Sequence, residues 1–339
     1  MLQKNMMCPN CKNKITVEGN SGDKVYITCP KCDTKGVFTF PEEELKHKTP
    51  SNVIEIKNLT KYYGKIKGIE NLTLSVNKGE IFGFLGPNGA GKTTTIRTLL
   101  GYLKPTSGQA FILGKNIKYN IVDIKREVGY IPGDLNLYGH LNGRQFLDYF
   151  ASLRNTEMSL LDELLRIFDV PLNRKIKGYS KGMKQKLGII QAFMDDPEIV
   201  IMDEPTSGLD PLLQQKFYDF LRNQKKKGRA MFFSSHVLSE VDKICDRVGI
   251  IRDGNLVALE DVETLKGKMG KMIRVRIKEN PEMFNGPENM KIMDNWIEFV
   301  TNDDVDHWIK LLSKYTIVDL EIAEFSLEDI FIHYYEGQK

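Results

Sequence analysis

The pattern of apolar and polar residues predicts strands and helices in alternation. Uninterrupted apolar runs of roughly four to eight residues are typical of buried strands, and apolar residues spaced three and four apart are typical of helices. Strands are predicted at Val53–Ile56, Ile81–Leu85, Gln109–Leu113, Val128–Ile131, Ile199–Pro205 and Ala230–Ser234, and a hairpin at Arg247–Arg252 and Asn255–Leu259. Helices are predicted at Thr94–Leu103, Arg144–Leu153, Leu160–Phe168 and Lys186–Met194. We therefore expect an α/β domain over residues 53–268, with a helical insertion at about 134–185.

The two ends of the chain have a different pattern from the middle. Short strands are predicted at Lys14–Glu18, Lys24–Thr28 and Val37–Phe40. Strands at Met272–Ile277, Trp296–Val300 and Ile317–Ile322 and helices at His307–Tyr315 and Ser326–Tyr335 are predicted near the other end. We therefore expect a small N-terminal domain at 1–40, a polar linker bracketed by prolines at 41–52, and a C-terminal accessory domain at 271–339.

One glycine-rich loop contains the most specific functional motif of the chain. Residues 86–93 fit the P-loop pattern G-x-x-x-x-G-K-[ST], and they lie between a predicted strand and a predicted helix, as that motif requires. The glycines let backbone amides wrap a phosphate, Lys92 is expected to reach the β- and γ-phosphates, and the Thr93 hydroxyl is expected to bind Mg²⁺. The predicted nucleotide-binding residues here are Gly86, Pro87, Asn88, Gly89, Ala90, Gly91, Lys92, Thr93 and Thr94.

Two carboxylates and a histidine follow at the ends of later strands. Asp203 is expected to hold Mg²⁺, directly or through water, and Glu204 to accept a proton from the attacking water. His236 follows the predicted strand Ala230–Ser234 and could contact the γ-phosphate. We therefore predict Lys92, Glu204 and His236 as the catalytic residues.

Further residues around the P-loop suit the same ligand. Tyr63, or alternatively Tyr62, could stack on an adenine ring. Ser180 stands where the N-cap of a helix belongs, and Gly182 permits close backbone approach, so this helix start suits an anion. Asp210, followed by proline, is also a predicted N-cap.

Four cysteines near the start form a C-x₂-C…C-x₂-C pattern with seventeen residues between the pairs. This spacing predicts a metal site made of Cys8, Cys11, Cys29 and Cys32, with four thiolates around zinc. Iron is the alternative metal. The arrangement resembles a zinc ribbon, and so few residues have too little core to fold without the metal.

Composition narrows the function classes. The chain has 41% hydrophobic and 27% charged residues, which is typical of a globular protein. The formal net charge is only +3, and residues 1–52 contain no basic stripe, so we expect no nucleic-acid binding. No apolar run approaches the roughly 18 residues that a membrane-spanning helix needs.

The order and spacing of these motifs closely resemble the nucleotide-binding subunit of an ABC transporter over about residues 53–268. The matching motifs are Tyr63, the P-loop, Tyr179–Gln185, Asp203-Glu204, Ser207–Asp210 and His236. The segments 129–134, 179–185 and 325–331 are similar to the multidrug and antibiotic exporter class.

The resemblance implies an ABC-type P-loop ATPase fold, with ATP and Mg²⁺ as cofactors. It also implies two such domains head to tail, with each ATP between the P-loop of one and Ser180 and Gly182 of the other; Asp210 belongs to the same nucleotide-binding set. A homodimer is expected. The helical insertion and the loop around Gly133 would grip a membrane subunit on a separate chain, at the cytoplasmic face of the cell membrane.

Two segments depart from the resemblance, and the second concerns the link between ATP hydrolysis and transport. The usual signature Leu-Ser-Gly-Gly-Gln is altered by Tyr179, Lys181 and Met183. Gly133 stands where the family carries a glutamine that links the γ-phosphate to the membrane partner. Asp134 or a water could take over that role.

Two other functions remain alternatives at this stage. One is an ABC-type ATPase that acts on nucleic acid or ribosomes, with the zinc ribbon as adaptor. The other is a chain retained mainly as a regulator. The single P-loop disfavours the first alternative, because translation-type members carry two. The leading expectation is an ATPase that powers export of a drug, antibiotic or lipid-like substrate.

Overall fold

The structure is a computed structural model that divides into two compact units, Met1–Pro50 and Ser51–Lys339. It describes residues 2–19, 24–39, 52–287, 289–293, 295–301 and 305–325. Most of the predicted linker at 41–52 and the predicted helix Ser326–Tyr335 lie outside the described residues.

The first unit consists of two antiparallel hairpins. Its strands are β1 (Leu2–Met7), β2 (Lys14–Gly19), β3 (Lys24–Thr28) and β4 (Lys35–Thr39). Strand β1 pairs with β2, and β3 pairs with β4, so each C-x₂-C turn lies at the tip of its own hairpin. The prediction for the last strand began too late, because Lys35 and Gly36 are polar or small yet complete the pairing with Ile27 and Thr28.

The second unit begins with the elements that surround the P-loop. They are β5 (Asn52–Tyr63), β6 (Ile66–Asn77), β7 (Ile81–Leu85), α1 (Lys92–Leu99), β8 (Ser107–Ile112), β9 (Lys115–Asn116), α2 (Ile121–Glu127) and β10 (Val128–Ile131). The long strand β5 carries Tyr62 and Tyr63 at its end, which the short predicted strand Val53–Ile56 did not include.

The helical insertion and the rest of the central domain follow. The elements are α3 (Gly143–Arg154), α4 (Leu161–Ile167), α5 (Lys181–Phe193), β11 (Ile199–Asp203), α6 (Pro211–Lys226), β12 (Ala230–Ser235), α7 (Leu238–Ile244), β13 (Arg247–Arg252), β14 (Asn255–Asp261) and α8 (Val262–Met269). Helix α5 starts earlier than predicted, because the Ser180 side chain caps it directly.

A six-stranded sheet in the order β10-β11-β12-β7-β13-β14 organises this unit. All neighbouring pairs are parallel except β13 and β14. Alternate residues of the central strands enter two separate cores: Phe233 packs with the helical insertion, and Phe232 packs with α1 and the antiparallel sheet β6-β5-β8-β9. Burial on both faces explains the continuous apolar runs in the sequence.

The parallel pairing places the carboxyl ends of β7, β11 and β12 at one edge of the sheet. Asp203 lies beside Ser234, and Ser235 lies beside Leu85, in register. The P-loop follows β7, and Glu204 and His236 follow β11 and β12. The predicted catalytic residues are therefore brought together by strand pairing and not by closeness in sequence.

The C-terminal part of the second unit forms its own sheet and core. Its elements are β15 (Lys271–Ile277), β16 (Lys291–Met293), β17 (Trp296–Thr301), α9 (Val305–Leu312) and β18 (Ile317–Glu324). The sheet order is β16-β17-β15-β18, and Trp308 of α9 packs on Phe299. Within the described residues, no helix is long and apolar enough to cross a membrane.

Candidate functional site

The P-loop connects β7 to α1 through a backbone that only glycine accommodates. Gly89 and Gly91 have φ angles of 83° and 112°, which residues with a side chain rarely adopt. A Cβ on Gly86 would lie 2.3 Å from the Ile251 carbonyl oxygen. Helix α1 begins at Lys92, two residues before the predicted start, so its free amides face the loop.

Lys92 is buried and folds back onto this loop. Its Nζ donates hydrogen bonds to the carbonyl oxygens of Gly86 (2.7 Å) and Pro87 (3.1 Å), and it lies 3.8 Å from Glu204 Oε1. Burial lowers the pKa of Lys92, while the negative charges of Glu204 and Asp203 partly oppose that shift. A cation held here suits a phosphate that enters the loop.

Thr93 and Asp203 place two oxygen ligands side by side. The Thr93 hydroxyl donates to Asp203 Oδ2 at 2.9 Å, and Asp203 is only 3% exposed. Mg²⁺ holds oxygen ligands at roughly 2.1 Å in an octahedron, so adjacent ligands lie about 3.0 Å apart. The observed spacing fits Mg²⁺ bound by both residues, and hard oxygen donors are the type this ion prefers.

Glu204 leaves the strand through a strained backbone. Its φ is 49°, a left-handed conformation that costs a residue with a side chain roughly 1–3 kcal/mol. The Glu204 amide still donates to the Ser234 carbonyl oxygen at 3.1 Å. Because β11 ends at Asp203, the Glu204 side chain turns toward Lys92 and His236, and His236 Nδ1 lies 2.9 Å from its Oε1. Strain at this residue is consistent with a catalytic role.

Ser180 and Gly182 lie at the start of α5, where the structure gives them local contacts. The Ser180 hydroxyl accepts from the Met183 amide at 3.2 Å. A Cβ on Gly182 would lie 3.0 Å from the carbonyl oxygen of Gly208. Neither of these contacts involves the P-loop. Asp210 caps α6 by accepting from the Leu213 amide at 3.0 Å, as expected of an N-cap.

The two tyrosines at the end of β5 differ in how free their side chains are to stack on a nucleotide base. The Tyr62 hydroxyl donates to Glu70 at 2.7 Å, and this hydrogen bond raises the pKa of Tyr62. Tyr63 is 45% exposed, with its hydroxyl 3.3 Å from Thr94 Oγ1 and the Lys61 ammonium 5.4 Å from its ring centre. The geometry favours Tyr63 over Tyr62 as the stacking surface.

Gly133 lies directly beside the carboxylate of Asp203. A Cβ on Gly133 would lie 3.3 Å from Asp203 Oδ2, so a side chain at this position would grow against the proposed Mg²⁺ ligand. Asp134 is 3.5 Å from the Asn136 amide and lines the adjacent cavity. With glycine at 133, no side chain from this position reaches the Asp203 carboxylate.

That cavity, of about 720 Å³, lies between the central sheet and the helical insertion. Its walls combine aromatic and cationic side chains, which are Tyr102, Tyr130, Tyr138, Phe146, Phe150, Arg97, Lys125, Arg126 and Arg154. Burial raises the pKa of Tyr130. The sequence showed no signal for this cavity, because its residues come from five separate elements and loops.

The hydrogen bonds of two further site residues are visible only in the structure, although Gln185 lies within the predicted motif Tyr179–Gln185. Ser234 donates to Asp203 Oδ1 at 2.6 Å, and Gln185 donates from Nε2 to the Pro205 carbonyl oxygen at 2.6 Å. For Ser234 the sequence predicts only a place in a strand. A serine in an otherwise apolar buried run was the available signal, because a buried hydroxyl needs a partner.

The four cysteines of the first unit converge. Their sulfur atoms all lie within 4.8 Å of one another, with Cys8 to Cys32 and Cys11 to Cys29 at 3.6 Å. Thiolates about 2.3 Å from a tetrahedral zinc lie roughly 3.8 Å apart, so the cluster fits the ion. The Thr34 hydroxyl is 3.2 Å from Cys32 Sγ, and hydrogen bonds from the Thr34 side chain and backbone, together with Cys11, lower the pKa of that thiol to about 6.

The two C-x₂-C turns repeat one backbone design. In each turn the first cysteine amide donates to the residue five positions on, Cys8 to Asn13 at 2.8 Å and Cys29 to Thr34 at 2.9 Å. Lys12 and Asp33, at equivalent positions, have φ angles of 57° and 55°. Two matching turns face each other, as a four-thiolate metal site requires.

Comparisons with known proteins agree with this site. The family described as ABC transporter matches residues 69–207, from β6 to just past Glu204. An uncharacterised ABC transporter ATP-binding protein of Nostoc is 32% identical over 328 residues, which cover 88% of this chain and 94% of that protein. The bacitracin transport ATP-binding protein BcrA of Bacillus licheniformis is 39% identical over 233 residues, covering 68% of this chain and 76% of BcrA.

A solved structure indicates the same family as the relatives found by sequence. A structure described as the ATP-binding subunit of an ABC transporter superposes with a TM-score of 0.59 and 31% identity, covering 64% of this chain and 92% of that one. The prediction of an ABC-type P-loop ATPase fold is therefore confirmed. ATP hydrolysis is characteristic of this family, whose ATP-binding domains dimerise and work with transmembrane subunits. The chain belongs to the ATP-binding proteins of ABC transporters.

Proposed function

We propose that this chain hydrolyses ATP to power export through a transmembrane subunit carried on a separate chain. The observation that carries the proposal is the meeting of Lys92, Thr93, Asp203, Glu204 and His236 at one sheet edge. The likeness to BcrA, a bacitracin transport protein, supports an exporter and an antibiotic-like or lipid-like substrate.

Each side chain of the edge has a distinct role in this proposal. Lys92 leaves the loop carbonyls to bind the β- and γ-phosphates, and Tyr63 stacks on the adenine. Glu204 accepts a proton from the attacking water, and His236 holds the Glu204 carboxylate at 2.9 Å and reaches the γ-phosphate. Thr93 and Asp203 would hold Mg²⁺, which would supply positive charge against the charge that develops on the phosphates.

The site becomes complete only in a dimer. Ser180 and Gly182 contact Met183 and Gly208 within their own chain, and the start of α5 has free amides that suit a phosphate. We propose that this helix start, together with the loop that ends at Asp210, closes over ATP held by the P-loop of a second copy.

Mixing two inactive variants tests this arrangement. Lys92→Ala and Ser180→Arg each disable both sites of a homodimer. A mixed dimer carries one site with neither change, so mixing restores ATP hydrolysis. If the mixture hydrolyses ATP no faster than either variant alone, the head-to-tail dimer is contradicted. If Ser180→Arg protein alone hydrolyses ATP, Ser180 is not part of the site.

The cavity between the sheet and the helical insertion is the proposed seat of the membrane subunit. It is largely apolar, with Arg97, Lys125 and Arg126 among its lining residues. This seat would place the chain at the cytoplasmic face of the membrane. Gly133 separates the cavity-lining residues Pro132 and Asp134 and lies against Asp203, so backbone contact would replace the usual glutamine in linking partner and nucleotide.

The first unit is proposed to be a zinc ribbon. Four convergent thiols and two matching turns support a structural four-thiolate site, with iron as the alternative metal. We propose a protein-contact or regulatory role for it, without nucleic acid. The C-terminal sheet and α9 are proposed to be an accessory domain that supports the dimer.

Affinity purification from detergent-solubilised native membranes tests the main proposal. Tagged Glu204→Gln protein with ATP should hold the closed dimer on its membrane partner, and Lys92→Ala protein serves as the control that cannot close. Recovery of a multi-span membrane protein with the first variant alone is the expected result. Recovery of RNA or ribosomes without a membrane protein would overturn the transporter proposal.

A further inference from the structure

Ser234 makes a close contact with the proposed Mg²⁺ ligand from the neighbouring strand. Its hydroxyl donates to Asp203 Oδ1 at 2.6 Å, while Thr93 donates to the other oxygen, Oδ2, at 2.9 Å. Ser234 is 0% exposed and Asp203 is 3% exposed. Water therefore has almost no access to replace the serine as a donor.

We propose that Ser234 is a positioning residue that sets the affinity of this chain for Mg²⁺. The proposal rests on the nucleotide site described above and adds a residue that acts on the metal through Asp203. The Asp203 carboxylate can rotate about its last side-chain bond. Ser234 anchors Oδ1, and this anchor keeps Oδ2 directed at Thr93, where the ion would bind.

Strand pairing makes this anchor rigid. Asp203 and Ser234 are direct partners in the parallel pairing of β11 and β12, and both backbones are buried inside the sheet. The Glu204 amide bonds to the Ser234 carbonyl oxygen at 3.1 Å, so Ser234 holds two successive site residues, one by its side chain and one by its backbone. Hydrogen bonds to metal-binding carboxylates orient such ligands and tune metal affinity.

The next residue of the same strand provides a matched comparison. The Ser235 hydroxyl donates to a different carboxylate, Glu240 Oε2, at 2.7 Å and accepts from the Val237 amide at 2.9 Å. Glu240 is bonded in turn to the Tyr218 hydroxyl. Ser235 is 2% exposed, so Ser235→Ala removes a hydroxyl that is as buried as that of Ser234 but makes no hydrogen bond to Asp203.

Binding of Mn²⁺, a paramagnetic substitute for Mg²⁺, tests the proposal without reference to turnover. Electron paramagnetic resonance would measure Mn²⁺ affinity of the full-length protein saturated with ADP. Ser234→Ala should weaken Mn²⁺ binding roughly tenfold or more, as is usual when a group behind a metal ligand is lost. Ser235→Ala should leave Mn²⁺ affinity within about twofold of the natural protein, even where it slows hydrolysis.

A second pair separates loss of the hydroxyl from loss of packing. Ser234→Thr keeps the hydroxyl, and Ser234→Val has the shape of threonine without a hydroxyl. This pair therefore tests the role of the hydroxyl even if Ser234→Ala fails to fold. The threonine variant should bind Mn²⁺ at least tenfold more tightly than the valine variant. Equal affinities for the two, or normal affinity in Ser234→Ala, would overturn the proposal.

Nucleotide affinity in EDTA separates this proposal from the proposed function. ADP binding without metal should be the same in all four variants, because none of the changed side chains touches the P-loop. Absence of nucleotide binding by the natural protein would overturn the ATPase function itself. Normal nucleotide binding with unchanged Mn²⁺ affinity in Ser234→Val would overturn only the role of Ser234.

Discussion

The two units of this protein are organised by different means. Among the described residues of the first unit, the buried hydrophobic side chains are Cys8, Val17 and Cys29. The second unit has two large cores on the faces of its central sheet and a third in its C-terminal sheet. The folding of the first unit thus depends on the four thiols at its centre, whereas the folding of the second depends on the burial of apolar side chains.

The contrast also separates two kinds of site. The thiol cluster is built from two nearly identical local turns, each complete within six residues. The nucleotide edge collects Lys92 from the helix after β7 and the P-loop, Asp203 from the end of β11, and His236 from the residue after β12, and these elements are far apart in the sequence. A local site can be lost with its metal, but the nucleotide edge persists as long as the core holds the strands in register.

Removal of the metal should have the largest effect. Structural zinc contributes roughly 10–16 kcal/mol in comparable peptides, so a zinc-selective chelator should unfold residues 2–39. Hydrogen exchange should show loss of protection in β1–β4 alone, and ATP hydrolysis should persist. Turnover that falls in step with the metal content would show that the two units are not independent.

Cysteine variants provide the control for that measurement. Cys29→Ser should abolish stoichiometric metal, whereas Cys245→Ser, which changes a buried cysteine outside the cluster, should retain it. Elemental analysis of the natural protein distinguishes zinc from iron. Equal metal content in the two variants would remove the cluster as the metal site.

Replacement of Glu204 by glutamine should give the next largest effect. Loss of a general base slows a reaction roughly 10²–10⁴-fold, and glutamine keeps the shape of the side chain. Steady-state hydrolysis should fall by that factor with unchanged ATP affinity and metal content. Glu163→Gln, at a half-buried position of α4, is the control; hydrolysis by Glu204→Gln at the control rate would exclude Glu204 as the base.

Truncation of a core aromatic residue should act on the second unit alone. Phe217 is fully buried, with its ring 6.0 Å from Phe168 and 6.4 Å from Phe193. Phe217→Ala should lower the free energy of unfolding of this unit by about 3–5 kcal/mol, measured by denaturant titration. Tyr119→Ala, at a 73% exposed position, should change it by less than about 0.5 kcal/mol.

Loss of a helix cap should have the smallest effect. The Asn142 side chain accepts from the Gln145 amide at 2.8 Å, and Gln145 Oε1 accepts from the Asn142 amide at 3.1 Å, at the start of α3. Asn142→Ala should cost about 1 kcal/mol of the unfolding free energy of the second unit. A loss as large as that of Phe217→Ala would mean that caps, and not the core, dominate this unit.

The P-loop and the buried strands could be read from the sequence because their signals are local. Strand β7 was predicted with its exact bounds, since five apolar residues in a row suit only a buried strand in this context. Strand β6 was not predicted, although Ile69, Leu72, Leu74 and Val76 are buried. Leu72, Leu74 and Val76 alternate with polar residues, so the pattern of a half-buried strand was present in the second half of β6, and the register shift with β5 between Leu72 and Ile69 interrupts it only in the first half.

Helix ends were predicted less well than helix cores. Helix α1 starts at Lys92 and α5 at Lys181, because Gly91 and Ser180 begin the helices through backbone conformation and a side-chain cap. Apolar spacing alone placed both starts later, because the first turns Lys92–Thr95 and Lys181–Lys184 contain only one apolar side chain between them, Met183. Periodicity reports which face is apolar, and it does not detect a first turn that lacks spaced apolar residues.

The sequence by itself determined the type of each chemical group and its local setting: a glycine loop before a helix, an Asp-Glu pair after a strand, and two matching cysteine turns. Only the tertiary structure decided which of these groups meet. Parallel strand order placed Asp203 beside Ser234 and Thr93, and Gly133 against the same carboxylate. The physical reason is that pairing between distant strands is chosen by the whole core, so no short segment of the chain encodes it.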